Sequence, residues 1–266
     1  MKNRFAIMKV YIGRTGLMNQ IIEALLSHRS VRHFEDKHLS KEQIEAIVLS
    51  AQAASTSSFI QAYSIIGITD PEKKKKLAEL AGNQSYVAEN GHFFIFCADL
   101  HRHEIISEME EKDIMISLES TEKFMVMLID AALAAQNAAI AAESLGLGIC
   151  YIGGIRNNLQ EVCDLLKTPK RVIPLFGMAV GYPKKLNEIK PRLPLSHIYH
   201  ENEYEQDAIN FRKQLEDYNE VISQYYNERT SGKRKDTWTE QMAEMFSQPK
   251  RMYMNDFIKK HGLDLK

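Results

Sequence analysis

Cysteine is scarce in this chain, and what there is does not pair. Cys97, Cys150 and Cys163 are the only three in 266 residues, each inside an apolar run and none at metal-ligand spacing. That excludes a disulfide framework and a thiolate metal centre, and reads as buried free thiols in a reducing, cytoplasmic compartment. Net charge is nearly absent as well: 34 basic residues stand against 35 acidic ones, so no global basic field argues for nucleic acid. No run approaches the ~18 apolar residues of a membrane span, so no membrane partner is expected. The glycine signatures of phosphate and dinucleotide sites are missing: neither GxGxxG after a strand, nor GxxxxGK, nor GxSxG occurs. No Ser/His/Asp or Cys/His arrangement stands out, so no side chain is marked as a covalent nucleophile. His101, His103 and Glu104 are a weak suggestion of a metal site, and an ordinary solvated loop accounts for them better.

What remains is an ordinary globular composition, 44% hydrophobic and 26% charged, at a length that favours one large domain with at most an appended arm. The first 17 residues, MKNRFAIMKVYIGRTGL, carry four positive charges and no negative one, leaving −5 on the remainder. Lys9 interrupts their apolar character. They read as a leader or an expression remnant rather than a signal peptide, with Met18 as the expected natural start. Downstream, Asn19 is placed to cap a helix over 20–28. Ser40 and Gln43 form a capping box before Ile44, Ile47, Val48 and Ala51 at helical spacing. AYSIIGIT (62–69) and HFFIFCAD (92–99) predict strands, and Asp70-Pro71 opens a helix between them.

A long helix runs from Thr121 to Leu145 and stops at Gly146. Eight of the twelve residues 131–142 are alanine, which lets other backbones approach closely and predicts a central helix, at a subunit interface in one form of that reading. GICYIGG (148–154) is strand-like and ends in a glycine pair; RVIPLFGMAVGYP (171–183) is a buried strand or strand pair. Beyond Pro194 the pattern turns helical (Phe211, Leu215, Tyr218, Ile222, Tyr225), with a basic turn, RTSGKRKDTW, and no second core. Residues 196–266 therefore read as a helical arm on a core of 18–195. Strands interspersed with helices, without a regular βαβ rhythm, predict an α+β fold.

Two basic clusters stand out: His28-Arg29-Ser30 with Arg32, and Lys190-Pro191-Arg192. Guanidinium, ammonium and hydroxyl donors suit a phosphomonoester, which offers several strong acceptor oxygens. Taken alone, each cluster reads first as an ordinary solvated patch, and spacing does not show whether the two meet.

The motifs HRSVRHF, QAASTSSFIQAYSIIGITD, AGNQSYV, AAQNAAIAAESLGLGICYIGGIRNN, PLFGMAVGYP and KPRLP resemble, in order, those of the flavin-dependent nitroreductase family. Within it the chain is similar to the NADPH-dependent subgroup of oxygen-insensitive nitroreductases and NADPH-flavin oxidoreductases. The likeness runs from about Met18 to the C-terminus; the motifs are short singly and specific together. It implies a nitroreductase-like α+β fold, a mostly antiparallel sheet flanked by helices, and a homodimer with one FMN per site. The FMN phosphate would be held by His28, Arg29 and Ser30 with Lys190 and Arg192. Arg32 and Gln84 would meet the pyrimidine edge of the flavin ring. Gly153 and Gly154, preceded by Tyr151 and Ile152, would bring backbone N–H groups to its N5. Thr56, Ser57 and Ser58 would come from the other subunit, Thr56 standing where close relatives have serine.

The same resemblance implies NADPH as donor, read by Arg229 and Arg234, and an acceptor pocket with Arg156 and Arg251. It implies a ping-pong transfer of two electrons to nitroaromatics, quinones or free flavins, with no metal, since the cofactor carries the chemistry. An arginine beside the ring edge would stabilise the negative charge that the reduced ring carries. Two other classes fit the same residues: a flavin-sequestering protein with little turnover, and a nucleotide-binding interaction protein.

Overall fold

A computed structural model describes the chain over residues 16–263 and 265. The reading of residues 1–17 as a leader lies, apart from Gly16 and Leu17, outside the described residues. The chain divides into two units: Gln20–Asn187 with the residues from Arg251 onward, and Glu188–Lys250.

In the first unit, helix α1 (Gln20–Ser27) stops one residue short of its expected end. Helix α2 (Lys41–Gln52) starts on the expected capping box: Gln43 N–H donates to Ser40 Oγ at 3.3 Å, and Ser40 N–H donates to the Gln43 side chain at 3.0 Å. Strand β1 (Tyr63–Ile68) leads to α3 (Pro71–Leu80), capped by the Asp70 carboxylate with proline in the first turn. Then come β2 (His92–Asp99), α4 (His101–Met109), α5 (Met115–Leu118), α6 (Thr121–Ser144), β3 (Gly148–Ile152), α7 (Leu159–Leu166) and β4 (Val172–Gly181). His101 and His103 thus open a helix rather than sit in a loop, because the Asp99 carboxylate accepts His101 N–H at 2.9 Å and starts the turn. No cluster of three metal-ligating side chains occurs among the described residues.

The four strands form one antiparallel sheet in the order β1-β2-β4-β3. Every residue of β2 is buried, so both faces are covered and alternate residues serve different layers. Phe93, Ile95 and Cys97 pack under α3 and α7; Phe94 and Phe96 pack under α2 and α6. RVIPLFGMAVGYP resolves into a single strand. Its Pro174 has no N–H to give, and the ladder shifts register there: Phe96 faces Phe176 while Cys97 faces Pro174, which leaves Leu175 outside the pairing.

Helix α6 is central, as its alanines imply. Ala134, Ala135, Ala138, Ala139 and Ala142 are buried within the chain itself, against α2 and the sheet, and Ala131 is buried among Ala98, Leu100 and Ile173. The close approach that the alanines allow is therefore intramolecular. Its other face carries Met125, Ile129 and Leu133, each about half exposed at 52%, 51% and 45%. The helix is long and apolar enough to cross a membrane by length and composition. Its buried alanine face identifies it as a core helix.

In the second unit, α8 (Ala208–Arg229) and α9 (Trp238–Ser247) are capped by Asp207 and by a Thr237/Glu240 capping box. The sequence pattern offers no second core, yet α8 builds a small one. Tyr218, Ile222, Tyr225 and Tyr226 are buried together, with Leu193, Val221 and Trp238 against them. Aromatic bulk lets four side chains do what a longer aliphatic stripe does elsewhere. The chain then returns to the first unit, where α10 (Met254–Lys260) places Phe257 and Ile258 among Leu100, Leu159 and Ile173.

Candidate functional site

The first basic cluster is fixed by the free edge of the sheet. Val31 N–H donates to the Ile149 carbonyl at 2.8 Å, Glu35 N–H to Tyr182 at 2.9 Å, and Lys184 N–H to His33 at 2.9 Å. Residues 31–35 are thereby laid along β3 and the end of β4. Val31 is buried, and Gly148 is what admits it: a Cβ there would come within 2.5 Å of the valine side chain. The polar neighbours of Val31 stay accessible. His28 Nδ1 lies 2.7 Å from Glu143 Oε1 on α6, Arg29 Nε donates to the Ser27 carbonyl at 3.1 Å, and the Ser30 carbonyl accepts Asn187 Nδ2 at 3.0 Å. Arg32 is exposed.

Arg32 leads to a second group. Burial pushes the Tyr86 phenol and the Cys150 thiol up, and the Arg32 guanidinium beside both offsets part of that push, with Ser30 acting in the same direction on the thiol. Tyr86 Oη donates to Gln84 Oε1, and Gln84 Nε2 donates to the Ala81 carbonyl at 2.6 Å. Gly154 closes the chain of contacts. A Cβ on it would lie 2.3 Å from the Ala81 oxygen and 2.6 Å from Gln84 Nε2. Ser30, Cys150, Arg32, Tyr86, Gln84 and Gly154 thus form one contiguous patch at the end of β3. The strand itself ends at Ile152, two residues before the glycine pair is spent, because Gly153 begins a tight 3-10 turn, Gly153–Asn157. Ile152 is buried, so only its backbone can face a ligand, whereas Tyr151 is 36% exposed and anchors its hydroxyl on the Ala135 carbonyl at 2.8 Å.

Thr56 is the N-cap of another 3-10 turn, Ser57–Phe59, in which Ser58 has a left-handed backbone. Ser57 N–H and Ala62 N–H both donate to the fully buried Asp130, each at 3.0 Å. Arg156 donates Nη1 to the Leu175 carbonyl that the bulge in β4 sets free, and burial, then Arg251, push its guanidinium down. Arg251 donates two hydrogen bonds to Asn157 Oδ1, at 3.0 and 2.8 Å, and Tyr253 Oη bridges the Arg156 carbonyl and Leu159 N–H at 2.6 and 3.1 Å. The structure therefore brings Arg156 and Arg251 to one turn.

In the second unit, Lys190 Nζ donates to Tyr226 Oη at 2.9 Å, and the Arg234 guanidinium lies 4.3 Å from the centre of the same ring. Arg234 also pairs with Asp236, Nε to Oδ2 at 2.7 Å, while Arg229 donates to Tyr225 Oη at 3.1 Å. Lys190, Pro191, Arg192, Leu193, Ile198, Tyr218 and Trp238 line an open recess of about 400 Å³.

Sequence reasoning passes over Tyr86, Glu143, Asp130, Asn157 and Tyr226. A signal exists for two of them. Tyr86 lies two residues after Gln84 in AGNQSYV, and Asp130 is the only charge between Phe124 and Ala142. The thiols of Cys97, Cys150 and Cys163 are all buried, and burial pushes each up, which leaves none primed as a nucleophile.

Comparison with known proteins matches residues 25–182 to the Nitroreductase family and residues 190–266 to the Nitroreductase family, C-terminal domain. The chain is 57% identical over 247 residues to the FMN reductase (NADPH) of Bacillus subtilis (strain 168), covering 93% of this chain and 99% of that one. Among solved structures, B. megaterium NfrA1 is 65% identical, covering 92% and 99% of the two chains with a TM-score of 0.91. The NADPH:FMN oxidoreductase from Vibrio harveyi complexed with NAD+ is 35% identical, covering 93% and 100% with a TM-score of 0.84.

Proposed function

The chain belongs to the nitroreductase family, and from that premise we infer that it is an NADPH-dependent FMN oxidoreductase. The observation that carries this reading in the chain itself is the patch at the end of β3. An exposed arginine, a glutamine already oriented by Tyr86, and a turn opened by two glycines lie next to one another there. That donor set fits a flavin: a cation for the ring edge that becomes negative, a carboxamide for its polar edge, and backbone N–H groups not covered by a side chain. FMN, when bound, supplies the two-electron chemistry.

This chain's residues bind, orient and discriminate. Arg32 and Gln84 hold the pyrimidine edge; Gly153 and Gly154, with the backbone of Tyr151 and Ile152, face N5. His28, Arg29 and Ser30 take the phosphate, with His28 Nδ1 held 2.7 Å from Glu143 Oε1. Lys190 and Arg192 are proposed for the same phosphate, and Thr56, Ser57 and Ser58 for the cofactor of a partner subunit. Arg229 and Arg234 read NADPH; Arg156 and Arg251 serve the acceptor. Donor and acceptor react in turn, and nitroaromatics, quinones and free flavins are the oxidants proposed.

The protein works as a cytoplasmic homodimer, with residues 18–195 as the cofactor-binding core and 196–266 supplying donor and acceptor contacts. Support for the dimer is the apolar stripe Met125, Ile129 and Leu133 on the outer face of α6. Sedimentation as a dimer at micromolar concentration is the expected result, and a monomer that still holds FMN contradicts it.

The decisive experiment is anaerobic titration with NADPH. The purified protein should be yellow, bleach on one equivalent of NADPH per site, and recover its oxidised spectrum when a quinone is added. A yellow protein that NADPH does not bleach is a flavin store; a colourless one that binds no added FMN overturns the reading.

A further inference from the structure

Just ahead of β1, the backbone does something costly. Ser58, Phe59 and Gln61 all lie in the left-handed region, with φ of 49°, 58° and 58°. Glycine adopts that conformation freely; for other residues each instance is strained and persists only where its surroundings enforce it. Three positions that glycine would occupy without strain carry instead a hydroxyl, an aromatic ring and a carboxamide. The ring of Phe59 is 81% exposed, so packing of its side chain does not hold the turn.

What holds it is underneath. Asp130 of α6 is fully buried and spans the turn: one carboxylate oxygen accepts Ser57 N–H and the other accepts Ala62 N–H, both at 3.0 Å. His103 Nε2 contacts the Ile60 carbonyl at 2.9 Å between those two points. A buried carboxylate is a poor choice for stability alone, since an apolar side chain avoids its desolvation. It is a good choice where two backbone N–H groups must be fixed relative to each other. We propose that Asp130 is a positioning residue, whose carboxylate locks the 56–61 turn in the strained form that presents Ser57 and Ser58 to the cofactor. This rests on the assignment of those serines to the FMN site made above.

Asp130→Asn is nearly isosteric and separates positioning from bulk stability. The amide has one acceptor, so its nitrogen must be turned against either Ser57 N–H or Ala62 N–H. Hydrogen exchange at whichever of these amides faces the nitrogen should quicken at least about tenfold, while the amides of β2 and β4 keep their rates. The dissociation constant for FMN should rise about tenfold or more, and the visible circular dichroism of bound FMN should change. A purely structural role would lower the melting temperature and leave both flavin readouts at wild-type values, and that result overturns the proposal. Should the variant not fold, the wild type decides: Ser57 and Ala62 amides exchanging at the rate of an unstructured chain overturn it, and slow exchange at both supports it. A wild type that binds no FMN strikes the functional reading instead, and the exchange rates still judge the turn.

Discussion

Gly154 is the residue in the site with the least room to change. A methyl group on it meets a backbone oxygen, that of Ala81, at 2.3 Å, and backbone cannot rotate aside as a side chain would. Gly154→Ala should therefore push the Ala81–Gln84 turn away from β3, costing about 1–3 kcal/mol and loosening FMN together with it. Thermal unfolding and retention of flavin on desalting measure the two effects; an unchanged melting temperature would show that the turn yields freely. His92 poses a different problem. Its ring is 4% exposed, and burial, with Lys74 and then His38 adding positive charge nearby, pulls it down from 6.5 to about 4. A histidine with a lowered folded value binds its proton more readily when unfolded. Its contribution is therefore complete above pH 6.5 and is lost as pH falls from 6.5 through 4. Between pH 7 and 4.5 that loss is about 2 kcal/mol. Urea denaturation of the wild type and His92→Gln at both pH values should show the variant losing about that much less over the interval. Equal losses would mean that the fold leaves His92 titrating as it does in the unfolded chain.

At the scale of elements, the segment that returns to the first unit hangs on one arginine. Arg171, itself left-handed at φ 63° and 5% exposed, donates Nη1 to the Gly262 carbonyl, while its own N–H donates to the His261 carbonyl at 3.0 Å. Glu104 and Glu119 balance its charge at 3.5 and 3.6 Å. Arg171→Met removes the cation that Glu104 and Glu119 share together with the bond to Gly262, at a cost of about 3 kcal/mol. The expected outcome is protease cleavage within 251–263 at a concentration that leaves the wild type intact; equal resistance would mean that Phe257 and Ile258 hold α10 unaided. Arg171 also shows where the sequence stops being legible. The Ser40/Gln43 capping box, the Asp70-Pro71 start and the alanines of α6 were readable because each acts within one turn or one helix face. The bulge at Pro174, the Asp130 brace and the grip of Arg171 on Gly262 join residues tens of positions apart, and no local period records them. The cofactor patch falls between the two cases. Its cations and glycines were visible as motifs, and Tyr86 stood two residues from the Gln84 it orients, while Glu143, which faces His28, became visible only once α6 had brought it in.

At the scale of the whole molecule, a net charge of −1 gives no long-range pull on an anionic donor, so discrimination between NADPH and NADH has to be local. The two differ by a 2′-phosphate, and the basic turn after α8 is where charge is concentrated. Its arginines are not idle. Arg229 leans on Tyr225, and Arg234 stacks on Tyr226 while holding Asp236. Stacking pre-orders the guanidinium planes, which reduces the rotamer entropy lost when a phosphate arrives. The pairing with Asp236 acts the other way, because the phosphate must displace a carboxylate to use Arg234. Arg229→Ala with Arg234→Ala should lower kcat/KM for NADPH by tens to hundreds of fold, since each lost charge-assisted bond is worth ~1.5–3 kcal/mol, and leave NADH nearly unchanged. Asp236→Asn should do the reverse on a smaller scale. An exposed pair is worth at most about 1 kcal/mol, so kcat/KM for NADPH should rise up to about fivefold, with a steeper salt dependence and no gain for NADH. Both variants belong at one ionic strength, with both donors measured side by side. If the arginine variant loses the two donors equally, the turn positions the dinucleotide without reading its phosphate; if Asp236→Asn helps both donors equally, the carboxylate opposes the shared pyrophosphate instead.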